Sequence, residues 1–201
     1  MEPETQRASQ LLKDWRDAPG DKTLGGLIDT IGPRSFALLF IILLGLPALP
    51  LPTGGITHVL EIVAMILALQ LLVGRKTVWM PNRWRGTQFE DGSKAKFIDG
   101  LINTTTKLER YSKPRLTWLF GHWWSDVAYG IFVLAGTLAA FLAPPFTGLD
   151  TIPALGVVIL SVGVIMEDIA FVIGGALLIA GGALLEVTIG DAAYHFVKGL
   201  F

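Results

Sequence analysis

Leu51-Pro-Thr-Gly-Gly-Ile-Thr57 and Pro145-Phe-Thr-Gly-Leu-Asp-Thr151 interrupt two long apolar blocks of the chain. They align without gaps at an offset of 94 residues, pairing Thr53 with Thr147, Gly54 with Gly148 and Thr57 with Thr151. Each follows one apolar segment and precedes another, and prolines cluster at both: Pro47, Pro50 and Pro52 in the first, Pro144 and Pro145 in the second. Proline removes a backbone N–H and stops a helix, while glycine permits a tight turn. The pair therefore reads as an internal repeat of two hydrophobic hairpins, each broken at its tip. Ordinary interfacial turns between spans account for the same residues equally well. If the broken tips lie within the bilayer, their unpaired main-chain groups need protein or water, and paired breaks of this kind point to a central binding cavity.

The surrounding sequence is poor in charge. Charged residues make up 16% and hydrophobic residues 52% of the 201 positions, with a mean hydropathy of +0.56. Globular chains carry about 25% charge. Uncharged runs cover 35–60, 62–74, 128–149, 151–166 and 169–185. Of these, the stretches near 56–74, 127–143 and 169–190 are long enough to cross about 30 Å of hydrocarbon, and those near 35–50 and 152–166 are short. The expected fold is all-α, a polytopic integral membrane protein. Its parts are an amphipathic N-terminal segment (1–34), a first broken hairpin (35–74), a basic Trp-rich interfacial segment (75–126), a second broken hairpin (127–168) and a C-terminal membrane helix with a short tail (169–201).

Basic residues are uneven: five precede Ser35, ten lie from Arg75 to Arg115, and Lys198 stands alone beyond them. The positive-inside rule puts the N-terminus and the central segment on the cytoplasmic side. The first apolar block must then enter and return, by two crossings or as a re-entrant pair. Whether the two halves are parallel or inverted stays open. In the N-terminal segment Asp21 is placed to cap a short helix whose Leu24, Leu27, Ile28 and Ile31 share one face, which suits a helix on the membrane surface. In the central segment five of the six tryptophans sit among lysines and arginines near span ends, at headgroup depth. Phe97, Ile98, Leu101, Ile102 and Leu108 give a second apolar stripe beside Lys94, Lys96, Lys107 and Arg110, a surface suited to anionic lipid or to setting topology. An Asn103-Thr104-Thr105 glycosylation pattern in a cytoplasmic segment is fortuitous.

Chemistry is sparse. A net charge of −1 and no cysteine argue against a nucleic-acid partner and remove disulfides, thiol nucleophiles and thiolate metal sites. No metal site or cofactor is expected. There is no Walker loop, no His-Glu-x-x-His and no Gly-x-Ser-x-Gly, so the chain does not read as an enzyme. His122 and Asp126, four apart, form either an acid–base pair or an interfacial hydrogen bond. Thr57, His58 and Glu61 share one helical turn, and Glu61 near mid-bilayer would be costly unless functional or hydrated. Asp150, Glu167 and Asp168 are further acidic candidates or plain loop acids. Gly174-Gly-Ala-Leu-Leu178 recurs as Gly181-Gly-Ala-Leu-Leu185, a packing stripe of small residues.

Several of these stretches also carry a family resemblance. Ile31-Gly-Pro-Arg-Ser-Phe36, Leu46-Pro-Ala-Leu-Pro-Leu-Pro-Thr-Gly54, Gln70-Leu-Leu-Val-Gly-Arg75 with Trp79-Met-Pro81, and Leu108-Glu-Arg-Tyr-Ser-Lys-Pro-Arg115 resemble the bacterial ExoD exopolysaccharide-synthesis family. The resemblance implies a multi-pass bacterial inner-membrane protein connected with surface polysaccharide; at the second break, Phe146-Thr-Gly-Leu-Asp150 departs from the family's polar pattern. The expected role is binding or moving an anionic lipid, such as a polyprenyl-phosphate carrier. Thr53, Gly54, Thr147 and Gly148 would shape backbone donors, Arg34, Arg75, Arg110 or Arg115 would meet phosphate, and Thr57, His58, Glu61 and Asp150 would supply polar groups, with Glu61 coupling protons. The alternative is a non-transporting scaffold or regulator that docks polysaccharide-synthesis proteins or a second copy of the chain.

Overall fold

The computed structural model describes residues 8–20, 22–50, 56–88, 92–112, 114–143 and 147–198. Thr53 and Gly54, with Pro52, Pro144 and Pro145, lie outside them. The described residues form nine α-helices: α1 (Ala8–Asp17), α2 (Leu24–Ile31), α3 (Ser35–Leu44), α4 (Ile56–Leu72), α5 (Asn82–Arg85), α6 (Gly92–Tyr111), α7 (Trp123–Leu142), α8 (Thr151–Met166) and α9 (Ile169–Lys198). Among the described residues there is no strand, only two isolated bridges, Thr23 to Gln88 and Arg115 to Asp168.

Helices α3, α4, α7 and α8 form a closed square in which α3 packs on α4 and α8, and α7 packs on the same two. Helix α9 covers α8 and α7 from outside. The pairing of levels follows from individual contacts. At one end Arg34 pairs with Glu167 and Gly130 abuts Leu72; at the other Ala48, Ala140 and Ala154 pack together and the His58 ring lies 5.3 Å from that of Phe141. Helices α3 and α7 therefore run one way and α4 and α8 the other, so that Ala48 after α3 and Ala154 in the first turn of α8 meet at one end of the bundle.

The chain ends α4 and α8 with the same device. Gly74, at φ +84°, reverses the backbone so that Arg75 N donates to Gln70 O (3.1 Å), and Asp168 N donates to Gly163 O (2.9 Å) after Glu167 at φ +53°. This is the glycine-type helix stop, in which a left-handed residue lets the next N–H reach five residues back. Glycine takes that conformation freely; a glutamate there costs roughly 1 kcal/mol.

Two helices, Trp123–Leu142 and Ile169–Gly190, are long and apolar enough to cross a membrane, and the second has only 17% of its most apolar window buried in the protein. The expected span at 56–74 is instead a helix of 17 residues, about 25 Å at 1.5 Å per residue. Large apolar side chains stand exposed on α4 (Ile56, Val59, Ile66, Leu69), α7 (Ile131, Leu142) and α9 (Leu177, Leu184). The glycine repeat of α9 divides its labour. An added Cβ at Gly175 would lie 2.4 Å from Leu160 N, and at Gly182 2.7 Å from Pro153 Cδ, whereas Gly174 and Gly181 face open space.

Two N-terminal expectations change. The cap of α2 is Thr23, whose hydroxyl accepts from Gly26 N at 3.1 Å, because it directly precedes the first helical turn; Asp21 is outside the described residues. The apolar stripe of α2 is turned inward, with Leu27, Ile28 and Ile31 in the core, because α1, α3 and α5 pack against this helix. Helix α6 lies along α1, where Ser9 N and Oγ donate to Glu109 (2.9 and 2.5 Å) and Arg16 to Asp99 (2.9 Å). The Asp17 and Asp99 carboxylates hold the Arg16 guanidinium above its ordinary range, and Arg16 holds Asp17 below its own. On α6, Ile98 and Ile102 are buried, while the side chains of Phe97, Leu101 and Leu108 lie outside the described residues.

Candidate functional site

The predicted site residues separate to the two ends of the bundle. At the end away from the hairpin turns, Arg34 and Arg75 line one cavity of about 440 Å³, together with Lys76, Ser125, Asp126, Tyr129 and Glu167. Local structure explains each position. Pro33 begins a 3₁₀ turn, Gly32–Arg34, that leads into α3, and the Gly74 stop carries Arg75 past the end of α4. The N-terminus of α7 opens beside them with no side-chain cap on His122, and the free N–H groups of a long helix's first turn favour negative charge.

Charge in this cavity is nearly balanced. Arg34 is paired with Glu167 and Lys76 with Asp126 at 2.6 Å. Arg75 makes no ion pair among the described residues, so three cations face two carboxylates. The Tyr129 hydroxyl lies 2.8 Å from Ser161 Oγ and its ring meets Phe40 edge-on at 5.9 Å, which closes the floor of the cavity toward the apolar core. The pairing of Asp126 with Lys76 also disposes of the His122–Asp126 pair: the His122 ring lies 5.7 Å from that of Trp124 instead. Arg34 borders a second, smaller space of about 110 Å³, lined by Leu12, Leu38, Ile41, Val162 and Ile165.

Arg115 belongs to the same end without lining the cavity. Its guanidinium lies 3.7 Å from Asp168, and Asp168, 1% exposed, also accepts from Ser112 Oγ (3.2 Å) and Ala170 N (3.1 Å). Glu167-Asp168 is thus a built turn that joins α8, α9, Arg34 and the segment after α6, rather than loop acidity. Arg110 is exposed in the last turn of α6, apart from the cavity lining.

The turn end holds the remaining predicted residues. Thr57 and Glu61 are buried, and His58 Nδ1 lies 2.9 Å from Glu61 Oε2. Asp150 precedes α8 and interacts electrostatically with Glu61 and with Glu186 of α9. Thr147 and Gly148 are exposed in the turn before it, with Thr147 Oγ1 accepting from Leu149 N at 3.4 Å and Gly148 at φ +70°. Sequence reasoning missed Lys76, Tyr129 and Glu186; the last carried a signal, a lone carboxylate near the end of an apolar run. Among the described residues no group of three or more His, Asp or Glu is placed to hold a metal ion.

The family described as "Exopolysaccharide synthesis, ExoD" matches residues 8–188. This chain belongs to the ExoD family. Membership ties it to exopolysaccharide synthesis, and the matched region contains both ends of the bundle. The ExoD-family chain is also similar to the uncharacterized protein slr1875 of Synechocystis sp., 24% identical over 156 residues, 76% of this chain and 73% of that protein. No solved structure matches it.

Proposed function

We propose that this ExoD-family protein is a multi-pass bacterial inner-membrane protein that binds the phosphate of an anionic lipid, of the polyprenyl-phosphate class, in the cavity between Arg34, Arg75 and the start of α7. The observation that carries this reading is Arg75, a guanidinium that has no carboxylate partner among the described residues, in a cavity whose other cations are paired. Anionic phosphate supplies the missing partner through charge-assisted hydrogen bonds. Arg34 joins the headgroup space to a small apolar one, comparable to cavities that hold one ring-sized hydrocarbon, so the first carbons of a lipid chain have a place beside their phosphate.

Surface and charge support the membrane reading. The large apolar side chains on α4, α7 and α9 face outward, and Trp79, Trp84, Trp118, Trp123 and Trp124 are all exposed on segments at or near the cation-bearing end. Headgroup-depth tryptophans and the positive-inside rule put this end at the cytoplasmic face. The hairpin turns then reach toward the opposite face, with α3 and α8 too short for ordinary spans. The chain acts as a carrier or carrier-binding protein rather than a catalyst.

The test is equilibrium binding of a polyprenyl phosphate to the purified protein in zwitterionic nanodiscs. Losing one charge-assisted contact costs about 1.5–3 kcal/mol, so Arg75→Gln weakens binding roughly 10- to 100-fold, while Arg110→Gln leaves it unchanged. Equal binding of the uncharged polyprenol, or indifference to Arg75→Gln, overturns the reading. A scaffold role draws on Gly174 and Gly181 of α9, which face open space where a second helix can approach. Capture of a polysaccharide-synthesis partner that Gly181→Leu abolishes, with no lipid binding, favours the scaffold.

A further inference from the structure

The lipid reading leaves the turn end of the bundle without a task, although it holds the most costly buried group in the bundle. Glu61 lies in the second turn of α4 and is 0% exposed. Its Oε2 meets His58 Nδ1 at 2.9 Å, but its Oε1 is buried with no hydrogen-bond partner. Across the bundle, Glu186 Oε1 on α9 is buried and unpartnered in the same way. Asp150 acts electrostatically on both, and Glu61 acts on Glu186. Asp150 does not spend its carboxylate as a helix cap, since α8 has no side-chain cap bond.

Neutralising countercharge is scarce here. Residues 35–74 and 116–197 contain no lysine or arginine, and the basic group that contacts Glu61 among the described residues is His58. Helix α7 ends as Thr137-Leu-Ala-Ala-Phe-Leu142, and α3 runs into Ile41-Ile-Leu-Leu-Gly-Leu-Pro-Ala48, so neither brings a titratable residue. Three like charges in an apolar setting repel one another, and each costs several kcal/mol to bury unpaired. The oxygens also fall short of a metal-ligand set. A proton on the carboxyl removes its charge, so that an oxygen without a donor no longer carries the cost of a buried anion.

We propose that Glu61 is a proton-holding group at the hairpin-turn end, loaded and unloaded through His58, with Asp150 and Glu186 as acidic neighbours. The His58 side chain is 30% exposed while that of Glu61 is not exposed at all, so the imidazole reaches both water and the buried carboxylate. Protonated His58 gives the proton on Nδ1 to Glu61 Oε2. The imidazole, left neutral, regains a proton from solvent, and Glu61, now a neutral acid, holds the proton and no longer adds its charge to those of Asp150 and Glu186. Mass and charge balance with one proton entering and no other reactant. The site lies at the opposite end from the Arg75 cavity and does not rest on the lipid reading; in a carrier it would be where a proton gradient acts.

The experiment is infrared difference spectroscopy of the full-length protein in vesicles, following the carboxylic-acid C=O band through a pH titration. Glu61→Gln is expected to remove a titrating component, Glu186→Gln to shift the midpoint of what remains, and Arg110→Gln, on the exposed face of α6, to do neither. In the wild type, His58→Gln keeps the band but slows its exchange in D2O about tenfold or more. Retained helical circular dichroism shows that each variant folds, and Glu186→Gln and His58→Gln carry the test if Glu61→Gln does not. A band indifferent to both glutamates overturns the proposal, as does a midpoint that tracks sodium concentration, which would make the ligand a metal cation. Lipid binding lost on Arg75→Gln with this titration unchanged separates the two ends.

Discussion

Replacing either glycine of the Gly174-Gly175 pair with alanine should move stability in opposite directions. At Gly175 the new methyl would stand 2.4 Å from Leu160 N, 2.6 Å from Gly156 O and 2.6 Å from Leu160 Cβ. Two of these are backbone atoms of α8 that cannot rotate away, so α8 and α9 must separate by about 1 Å to restore carbon contacts near 3.5 Å. Overpacking of this kind costs about 1–3 kcal/mol, against a gain of roughly 0.5–1 kcal/mol for alanine over glycine inside a helix. At Gly174 nothing lies within 4 Å, so only the gain remains. Thermal unfolding in detergent, followed by circular dichroism, should therefore show Gly175→Ala melting several degrees below the wild type and Gly174→Ala at or slightly above it. Equal shifts, or a larger loss at Gly174, would mean that α9 presents its other face to the bundle.

The same reasoning gives shorter predictions. Tyr129→Phe removes the 2.8 Å bond to Ser161 in a buried setting and should cost about 1–2 kcal/mol of stability; in a double-mutant cycle with Ser161→Ala the second change should cost much less. Asp168→Ala strips two donors, Ser112 Oγ and Ala170 N, of their acceptor and Arg115 of its ion-pair partner, and should destabilise by about 2–3 kcal/mol, read as a lowered midpoint in denaturant. Lys76→Ala, which frees Asp126 to face the cavity, should weaken polyprenyl-phosphate binding in the nanodisc assay.

Much of the architecture was legible because lipid-length apolar runs and their punctuation are local signals. The helical class, the His58–Glu61 contact and the packing role of Gly175 and Gly182 in α9 come from spacing alone. What spacing does not carry is which surface a residue meets. The stripe of α2 reads as amphipathic in either setting, and only the packing of α1, α3 and α5 turns it inward. Asp126 sits four residues from His122, yet Lys76, fifty residues away, takes it. Arg34, Arg75, Arg110 and Arg115 read alike in the sequence. The Gly74 stop and the 3₁₀ turn at Pro33 bring the first two to one cavity and leave Arg110 on an exposed face. Glu186 escaped notice because its partners, Glu61 and Asp150, come from two other elements.

The account depends most on the bundle having its cationic cavity at one membrane face and both hairpin turns toward the other. The chain has no cysteine, so single cysteines report without background. Arg83→Cys on α5 and Thr147→Cys in the second turn, both at exposed positions, should be challenged with a membrane-impermeant maleimide in spheroplasts and in inverted inner-membrane vesicles. The account predicts labelling of Thr147→Cys from the periplasmic side alone and of Arg83→Cys from the cytoplasmic side alone. Labelling of both from the same side would contradict it.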